Sequence, residues 1–564
     1  MTKRISIAAL VVGLMSFGPP AQAQVDPGAY LAARSAAGVR DYAPAAEFYE
    51  QALVEDPQNV ALLESAAVSF VALGDFERAA IFADRLREAG ISSQVGAAIT
   101  VSVNAVNGNW DTILDADPLG VSPLFDALAR AWALVGTGQM TDALTAFDAV
   151  ADTDGMRSYG LLHKAYALAT VGDYEGALAI LANPGDGTSA FSPRAAIAQA
   201  QILSQLDRND DAAAALTDVF GATLDPGIVD MQRRLAAGET LGYDVVTSAA
   251  EGLGEVAFMI GSLLAGEARD DYILQYARMA QFMAPDNVDA AMLTAALLQE
   301  MRRYDLAGEA FATVPTDDPA YPSAELGRID SLRLSGRDEA AIEVAQALAR
   351  AHPDLPFVQS RLGDVLRDND QLDAAHDAYT RAIDLYPQDD PNLWIVYYSR
   401  AVVSFDSDDW PAAEADFRAA LELEPNRPEV LNYLGYSLVE RGEKLDEALD
   451  MIERAVEGRP DSGAIIDSLG WVYFTLGRYE EAVAPLETAA ALEATDPIVN
   501  DHLGDAYWAV GRKREARFQW QRALSFDPDE ALASRIRAKL ADGLDAVRAA
   551  EGQPPITLAD DPTQ

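Results

Sequence analysis

Apolar residues recur along this chain at helical spacing, in short runs closed by Gly, Pro or Asp. In the last third the runs repeat in register. Leu-Gly-Asp at 362–364, Leu-Gly-Tyr at 434–436, Leu-Gly-Trp at 469–471 and Leu-Gly-Asp at 503–505 place glycines at 363, 435, 470 and 504. The last three lie 35 and 34 residues apart, and Ala401 fills the slot in the 72-residue gap between the first two. Each mark is followed by the same series. Gly504 leads to Ala516, Trp520, Ala523 and Pro528; Gly363 to Ala375, Tyr379, Ala382 and Pro387; Ala401 to Ala413, Phe417, Ala420 and Pro425. Two helices that cross closely need small residues at the crossing and large ones beside it. The proline ends the second helix, because it cannot donate the interior hydrogen bond.

A 34-residue period with small residues at the eighth, twentieth and twenty-seventh places is the signature of the tetratricopeptide (TPR) repeat. Gly477-Arg478-Tyr479 and Gly511-Arg512-Lys513 supply turns between the paired helices. The rhythm decays upstream but persists: Ala45, Tyr49, Ala52 and Pro57 mark a first unit, and Gly74, Gly108, Gly138, Gly172 and Gly336 mark later turns. The reading is an all-α solenoid of about 13–14 helix pairs, forming a right-handed superhelix with a capping helix at its C-terminal end. Its divisions are a degenerate array over 24–221, an irregular helical segment over 222–286, transitional units over 287–355, a regular array over 356–528, a capping helix over 529–551 and a disordered tail over 552–564. The 222–286 segment reads either as an oversized pair or as a hinge.

Composition narrows the functional classes. The 564 residues contain 42 Lys+Arg against 89 Asp+Glu, a net charge of −47. A field of this sign repels nucleic acid and favours basic protein partners, or serves solubility. Cysteine is absent, which excludes disulfides, thiol chemistry and lipidation at cysteine. Lys3 and Arg4, the apolar run from Ile5 to Phe17, and Ala21-Gln22-Ala23 read as a signal peptide over 1–23, cut before Gln24. An uncleaved anchor is the alternative. No later apolar run has membrane length, so a periplasmic location is expected.

The block from Trp394 to Pro528 carries a more specific likeness in Val430-Leu431-Asn432-Tyr433-Leu434-Gly435-Tyr436-Ser437, Ile466-Asp467-Ser468-Leu469-Gly470-Trp471 and Asp501-His502-Leu503-Gly504-Asp505-Ala506-Tyr507-Trp508. It resembles exported proteobacterial TPR proteins, among them outer-membrane lipoproteins that act as adaptors for carboxyl-terminal processing proteases. The resemblance implies a solenoid that grips a protease and presents envelope substrates to it. Those adaptors carry a lipidated cysteine, and this chain has none.

In a TPR array the first helix of each pair lines the concave groove, with places two, five, nine and twelve facing inward. This selects Tyr398, Asn432, Tyr436, Asp467, Trp471, Phe474, Asp501, Asp505 and Trp508 as a partner-binding surface suited to an extended or basic peptide. Aromatics at place twelve also pack on the neighbouring helix, which applies to Phe474 and Trp508. A chaperone-type carboxylate clamp is not predicted, because Ser360 and Asp364, Asp467 and Trp471, and Asp501 and Asp505 hold the places that would need Lys and Asn. Arg512, Lys513, Arg514 and Arg517 form a secondary basic patch, which either docks an acidic surface or balances local carboxylates and helix dipoles. His163, His352, His376 and His502 are scattered, with no metal-ligand spacing, phosphate loop or nucleophile elbow. No catalytic residue, metal or cofactor is expected. The expected function is a periplasmic scaffold or adaptor for protein partners, with a structural assembly factor for an envelope secretion or polysaccharide complex as the alternative.

Overall fold

The computed structural model describes residues 27–182, 193–221, 226–554 and 556. The predicted signal peptide and residues 555 and 557–564 of the predicted disordered tail lie outside them, as do the first four residues of the 222–286 segment. The described chain is all helix and connecting turn. Two compact units divide at Val344 and Ala345.

In the first unit the helices run α1 (Pro27–Gly38), α2 (Tyr42–Glu55), α3 (Val60–Leu73), α4 (Phe76–Glu88), α5 (Gln94–Val106), α6 (Trp110–Asp115), α7 (Pro123–Gly136), α8 (Met140–Ala151), α9 (Arg157–Thr170), α10 (Tyr174–Leu181), α11 (Pro193–Gln205), α12 (Asn209–Phe220), α13 (Pro226–Ala236), α14 (Ala249–Leu264), α15 (Asp270–Met283), α16 (Val288–Glu300), α17 (Tyr304–Phe311) and α18 (Tyr321–Leu334). Helix α19 (Asp338–Ala351) contains the division between the units. The second unit continues with α20 (Pro356–Arg367), α21 (Leu372–Leu385), α22 (Leu393–Asp406), α23 (Trp410–Leu423), α24 (Pro428–Glu440), α25 (Leu445–Gly458), α26 (Gly463–Thr475), α27 (Tyr479–Leu492), α28 (Pro497–Ala509), α29 (Lys513–Leu524), α30 (Glu530–Asp542) and α31 (Leu544–Ala550). Odd and even helices pair from α1/α2 to α11/α12, then α14 with α15, then α16 with α17, and even with odd again from α20/α21 to α28/α29.

The repeated small residues sit where the helices of a pair cross. A methyl group on Gly504 would come within 2.4 Å of the Trp520 ring, one on Gly470 within 2.4 Å of Leu486, and one on Gly363 within 2.6 Å of Tyr379. The alanines opposite them, Ala375, Ala413, Ala448, Ala482 and Ala516, have no solvent exposure. The turn within each pair needs a left-handed residue. Gly477 and Gly511 supply it at φ +75° and +79°, whereas Asp370 and Asp408 adopt φ +56° and +60° at the same place in earlier pairs. This explains why the glycine mark is lost in those units while the fold continues: aspartate tolerates the left-handed region better than most side chains.

The segment after α13 lies against the first array. Helix α14 packs on α5, α7 and α9, and α15 packs on α3 and α5. These are first helices of their pairs, so the α14/α15 pair occupies the concave side of the array that precedes it. Close approach is built into the sequence: a methyl group on Gly252 would meet the Trp132 ring at 2.5 Å. Phe282 stacks on Phe76 at 4.5 Å between ring centroids, and Tyr276 lies 6.4 Å from Phe125. Arg278 donates Nε to the Ala72 carbonyl at 3.0 Å, at the C-terminal end of α3 where free carbonyls favour a cation. Burial pushes its guanidinium down to about 10. Arg194 bridges Glu255 at 2.6 Å and Asp289 at 2.7 Å, and Asn287 donates to the same Glu255 at 2.8 Å. Before the α14/α15 pair the described part of 222–286 holds α13 and a loop that is itself pinned: Leu241 N donates to Ser204 Oγ at 2.9 Å, and Thr170 Oγ1 to the Val246 carbonyl at 3.0 Å.

The C-terminal cap also differs from the single helix expected. It is two helices, broken at Gly543 (φ +88°). A side chain there would meet Trp508 at 2.6 Å, so the break lets the chain turn over the Trp508 ring.

Candidate functional site: the groove of the second unit

The first helices α22, α24, α26 and α28 carry the predicted groove residues, but the structure divides these residues into two groups. Tyr398, Asn432, Tyr436 and Trp471 are partly exposed, whereas Asp467, Phe474, Asp501, Asp505 and Trp508 are buried.

Burial at the C-terminal end comes from the cap. Lys539 of α30, with no solvent exposure, places Nζ 2.7 Å from Asp501 Oδ2 and 2.7 Å from Asp505 Oδ2. Arg535 lies 3.7 Å from the same Asp501 oxygen. Asp505 also accepts from Trp520 Nε1 at 3.0 Å, and Trp508 Nε1 donates to Asp545 of α31 at 2.9 Å. Burial pushes the Asp505 carboxyl upward, opposed by Lys539. Asp501, Asp505 and Trp508 therefore bind the chain's own cap and do not line an open groove, contrary to the expectation. A buried carboxylate pair needs a cation, and α30 supplies it in Lys539. Phe474 is 3% exposed, stacked on Trp471 at 4.9 Å and under Arg548 of α31 at 5.7 Å, so it too is a packing residue.

The basic patch is largely spoken for. Arg512 pairs with Glu487 at 2.9 Å and with Glu515 at 3.3 Å, and lies 3.9 Å over the Tyr507 ring. Lys513 sits 4.7 Å over Trp508, and Arg517 donates to the Leu540 carbonyl at 2.6 Å. Arg514 is exposed. The balancing role fits these contacts.

What stays open is a cleft of about 390 Å³ between α24, α26 and α28, reaching Phe405 of α22. Asn432, Tyr433, Tyr436, Glu440, Asp467 and Asp496 are among its walls. Asp496 caps α28, accepting from Ile498 N at 2.8 Å and Val499 N at 2.9 Å. Burial and the neighbouring Glu440 and Asp467 charges hold the Tyr436 phenol well above its ordinary range, so it remains a neutral donor. His502 lines the same cleft. Its Nδ1 is 2.9 Å from Asp467 Oδ2, and its ring lies flat under Trp471 with centroids 4.0 Å apart. Burial alone would lower the His502 pKa; Asp467, with Asp501 and Asp505 behind it, outweighs burial and raises it. Two acceptors at this cleft are buried and unbonded: Asn432 Oδ1 and Asp467 Oδ1.

The sequence carries a signal for the His502–Asp467 pair. The two residues lie 35 apart, one repeat plus one place, which brings them side by side on successive first helices. His163, in the other unit, is buried and accepts from Trp132 Nε1 at 3.2 Å; burial pushes it down to about 3, so it stays neutral. Among the described residues no group of His, Asp and Glu has a metal-holding arrangement, and no helix is long and apolar enough to cross a membrane.

Comparison with known proteins agrees with the repeat reading. A tetratricopeptide repeat family model matches residues 30–93, 128–183, 292–356, 360–428, 398–463 and 434–497, together more than half the chain. A TPR repeat-containing protein of Pseudomonas aeruginosa is 31% identical over 207 residues, covering 36% of this chain and 34% of that protein. Human tetratricopeptide repeat protein 13 is 28% identical over 193 residues, covering 33% of this chain and 22% of that protein. The chain thus spans about a third or less of the length of these relatives. Among solved structures, the Cut9–Hcn1 hetero-tetramer of the APC/C aligns over 92% of this chain and 96% of its own at 15% identity and a TM-score of 0.38. A TPR protein of Thermus thermophilus aligns over 33% and 99% at 26% identity and a TM-score of 0.29. The chain belongs to the tetratricopeptide repeat family.

Proposed function

We propose that this protein is a periplasmic adaptor that holds a protein partner in the groove of its second unit and presents envelope substrates to a processing protease. The observation that carries the binding part is the cleft between α24, α26 and α28, the stretch of that groove left open beside the cap-covered end. Its aromatic and acidic walls suit an extended segment, which buries large ring area at small entropic cost. The periplasmic location draws on Lys3, Arg4, the apolar run from Ile5 to Phe17 and Ala21-Gln22-Ala23. The protease draws on the likeness of the Trp394–Pro528 block to exported adaptors.

The test is affinity capture of the tagged mature protein from envelope extract, beside a Tyr436→Ala variant whose helical circular dichroism matches wild type. A carboxyl-terminal processing protease or its substrates, enriched by wild type and lost with Tyr436→Ala, is the expected result. Equal capture by the folded variant would contradict the groove reading. Tyr436 is the better residue to change than Trp471, since Trp471 is stacked between Phe474 and His502.

A further inference from the structure

The cleft combines three features that single out one ligand chemistry. First, Asp467 is only 6% exposed, yet just one of its oxygens is bonded: Oδ2 meets His502, while Oδ1 is buried without a partner. A buried carboxylate oxygen left unbonded is costly, and natural structures seldom keep one without a reason. Second, Asn432, which holds the matching place one repeat earlier, also has its Oδ1 buried and unbonded. Third, no Lys or Arg lines the cleft among the described residues, whereas Glu440 and Asp496 do, beside the rings of Phe405, Tyr433 and Tyr436. Unfilled acceptors, acidic walls and aromatic faces are the requirements of a cation carried on an apolar stem.

We propose that the α24/α26/α28 cleft is a pocket for a single arginine side chain of an extended partner segment, with Asp467 Oδ1 as its floor and Asn432 Oδ1 as a second acceptor. This deepens the groove reading above and rests on it. Arginine fits better than lysine, because its planar fork offers several N–H donors to acceptors on neighbouring helices and stacks on aromatic rings. An acidic segment is rejected by Glu440 and Asp496. Asp467 is a specificity-determining residue in this scheme, and Tyr436 contributes contact area regardless of charge.

Three pools of fluorescently labelled, N-acetylated nonapeptides of Gly, Ser, Ala and Leu test this, with Arg, citrulline or Glu fixed at the centre. Citrulline keeps the shape of arginine and removes its charge. Fluorescence anisotropy on the full mature protein is expected to show the Arg pool binding about tenfold tighter than the citrulline pool. The Glu pool is expected to be weakest. Asp467→Asn should bring the Arg and citrulline pools together, and Tyr436→Ala should weaken both. Asn432→Asp, which leaves the His502 contact untouched, should strengthen the Arg pool alone. Equal binding of all three pools by wild type, still lost with Tyr436→Ala, would overturn the arginine pocket and leave the groove reading standing. An Arg preference that survives in folded Asp467→Asn would also overturn the pocket. No binding by any pool would overturn both.

Discussion

Lys539 Nζ lies 2.7 Å from Asp505 Oδ2, and neither side chain has more than trace exposure. The same ammonium reaches Asp501 at 2.7 Å, so one cation from the cap bridges two carboxylates of the last first helix, and Arg535 lies 3.7 Å from the first of them. The cap therefore closes the array electrostatically as well as by apolar cover. Removing one member of a buried ionic cluster leaves the remainder without compensation. Lys539→Met is expected to destabilise the second unit by about 3–5 kcal/mol. Urea denaturation followed by tryptophan fluorescence checks this. Adding Asp501→Asn and Asp505→Asn should restore part of the loss, and an unchanged midpoint for Lys539→Met alone would contradict the role assigned to it.

The seating of α14 on α7 makes a second prediction. The space for a side chain at position 252 is already filled by the Trp132 ring. Gly252→Val should overpack this contact at a cost of about 1–3 kcal/mol or more. Amide exchange in 249–283 should accelerate, while exchange in 428–509 stays at the wild-type rate. Uniform exchange rates in variant and wild type would show that α14 is not held against α7.

His502 predicts a pH dependence. Its pKa is raised above the ordinary 6.5, because Asp467, aided by Asp501 and Asp505, outweighs burial. The folded state then holds the proton more tightly than the unfolded chain. The stabilisation is complete below 6.5 and is lost as pH rises through the folded value. Nitrogen NMR of the imidazole should show an inflection above 6.5 in wild type and a lower one in Asp467→Asn. The stability gap between the two proteins should shrink as pH is raised through that window. A wild-type inflection below the ordinary value would contradict the pairing.

Much of the fold is legible in the sequence because it is local. The crossing residues Gly363, Gly470 and Gly504 and the alanines that face them recur at a fixed spacing, and their positions follow from helix geometry alone. The groove places follow in the same way, which is why Asn432, Tyr436 and Asp467 come together at one cleft. What is not legible depends on contacts distant in sequence. Arg278 meets Ala72 across 206 residues, and no periodicity announces that. Lys539 reads as one more charge in a basic stretch until its helix is folded over Asp501 and Asp505. The helix turns at Asp370 and Asp408 were hidden for a different reason: the backbone demands a left-handed residue, and aspartate meets the demand without the glycine that marks it elsewhere.

The central claim is that partner binding is confined to the cleft between α24, α26 and α28, because the last groove residues and the concave side of the first array are occupied by the chain's own helices. The most direct measurement is photocrosslinking of the Arg-centred peptide pool, carrying a benzophenone next to the arginine, to the full mature protein, with the crosslinked sites mapped by mass spectrometry. Crosslinks within 428–440, 463–475 and 497–502, competed by unlabelled peptide, are the predicted result. Competable crosslinks in α3, α5 or α7, or on the cap at 530–550, would contradict it.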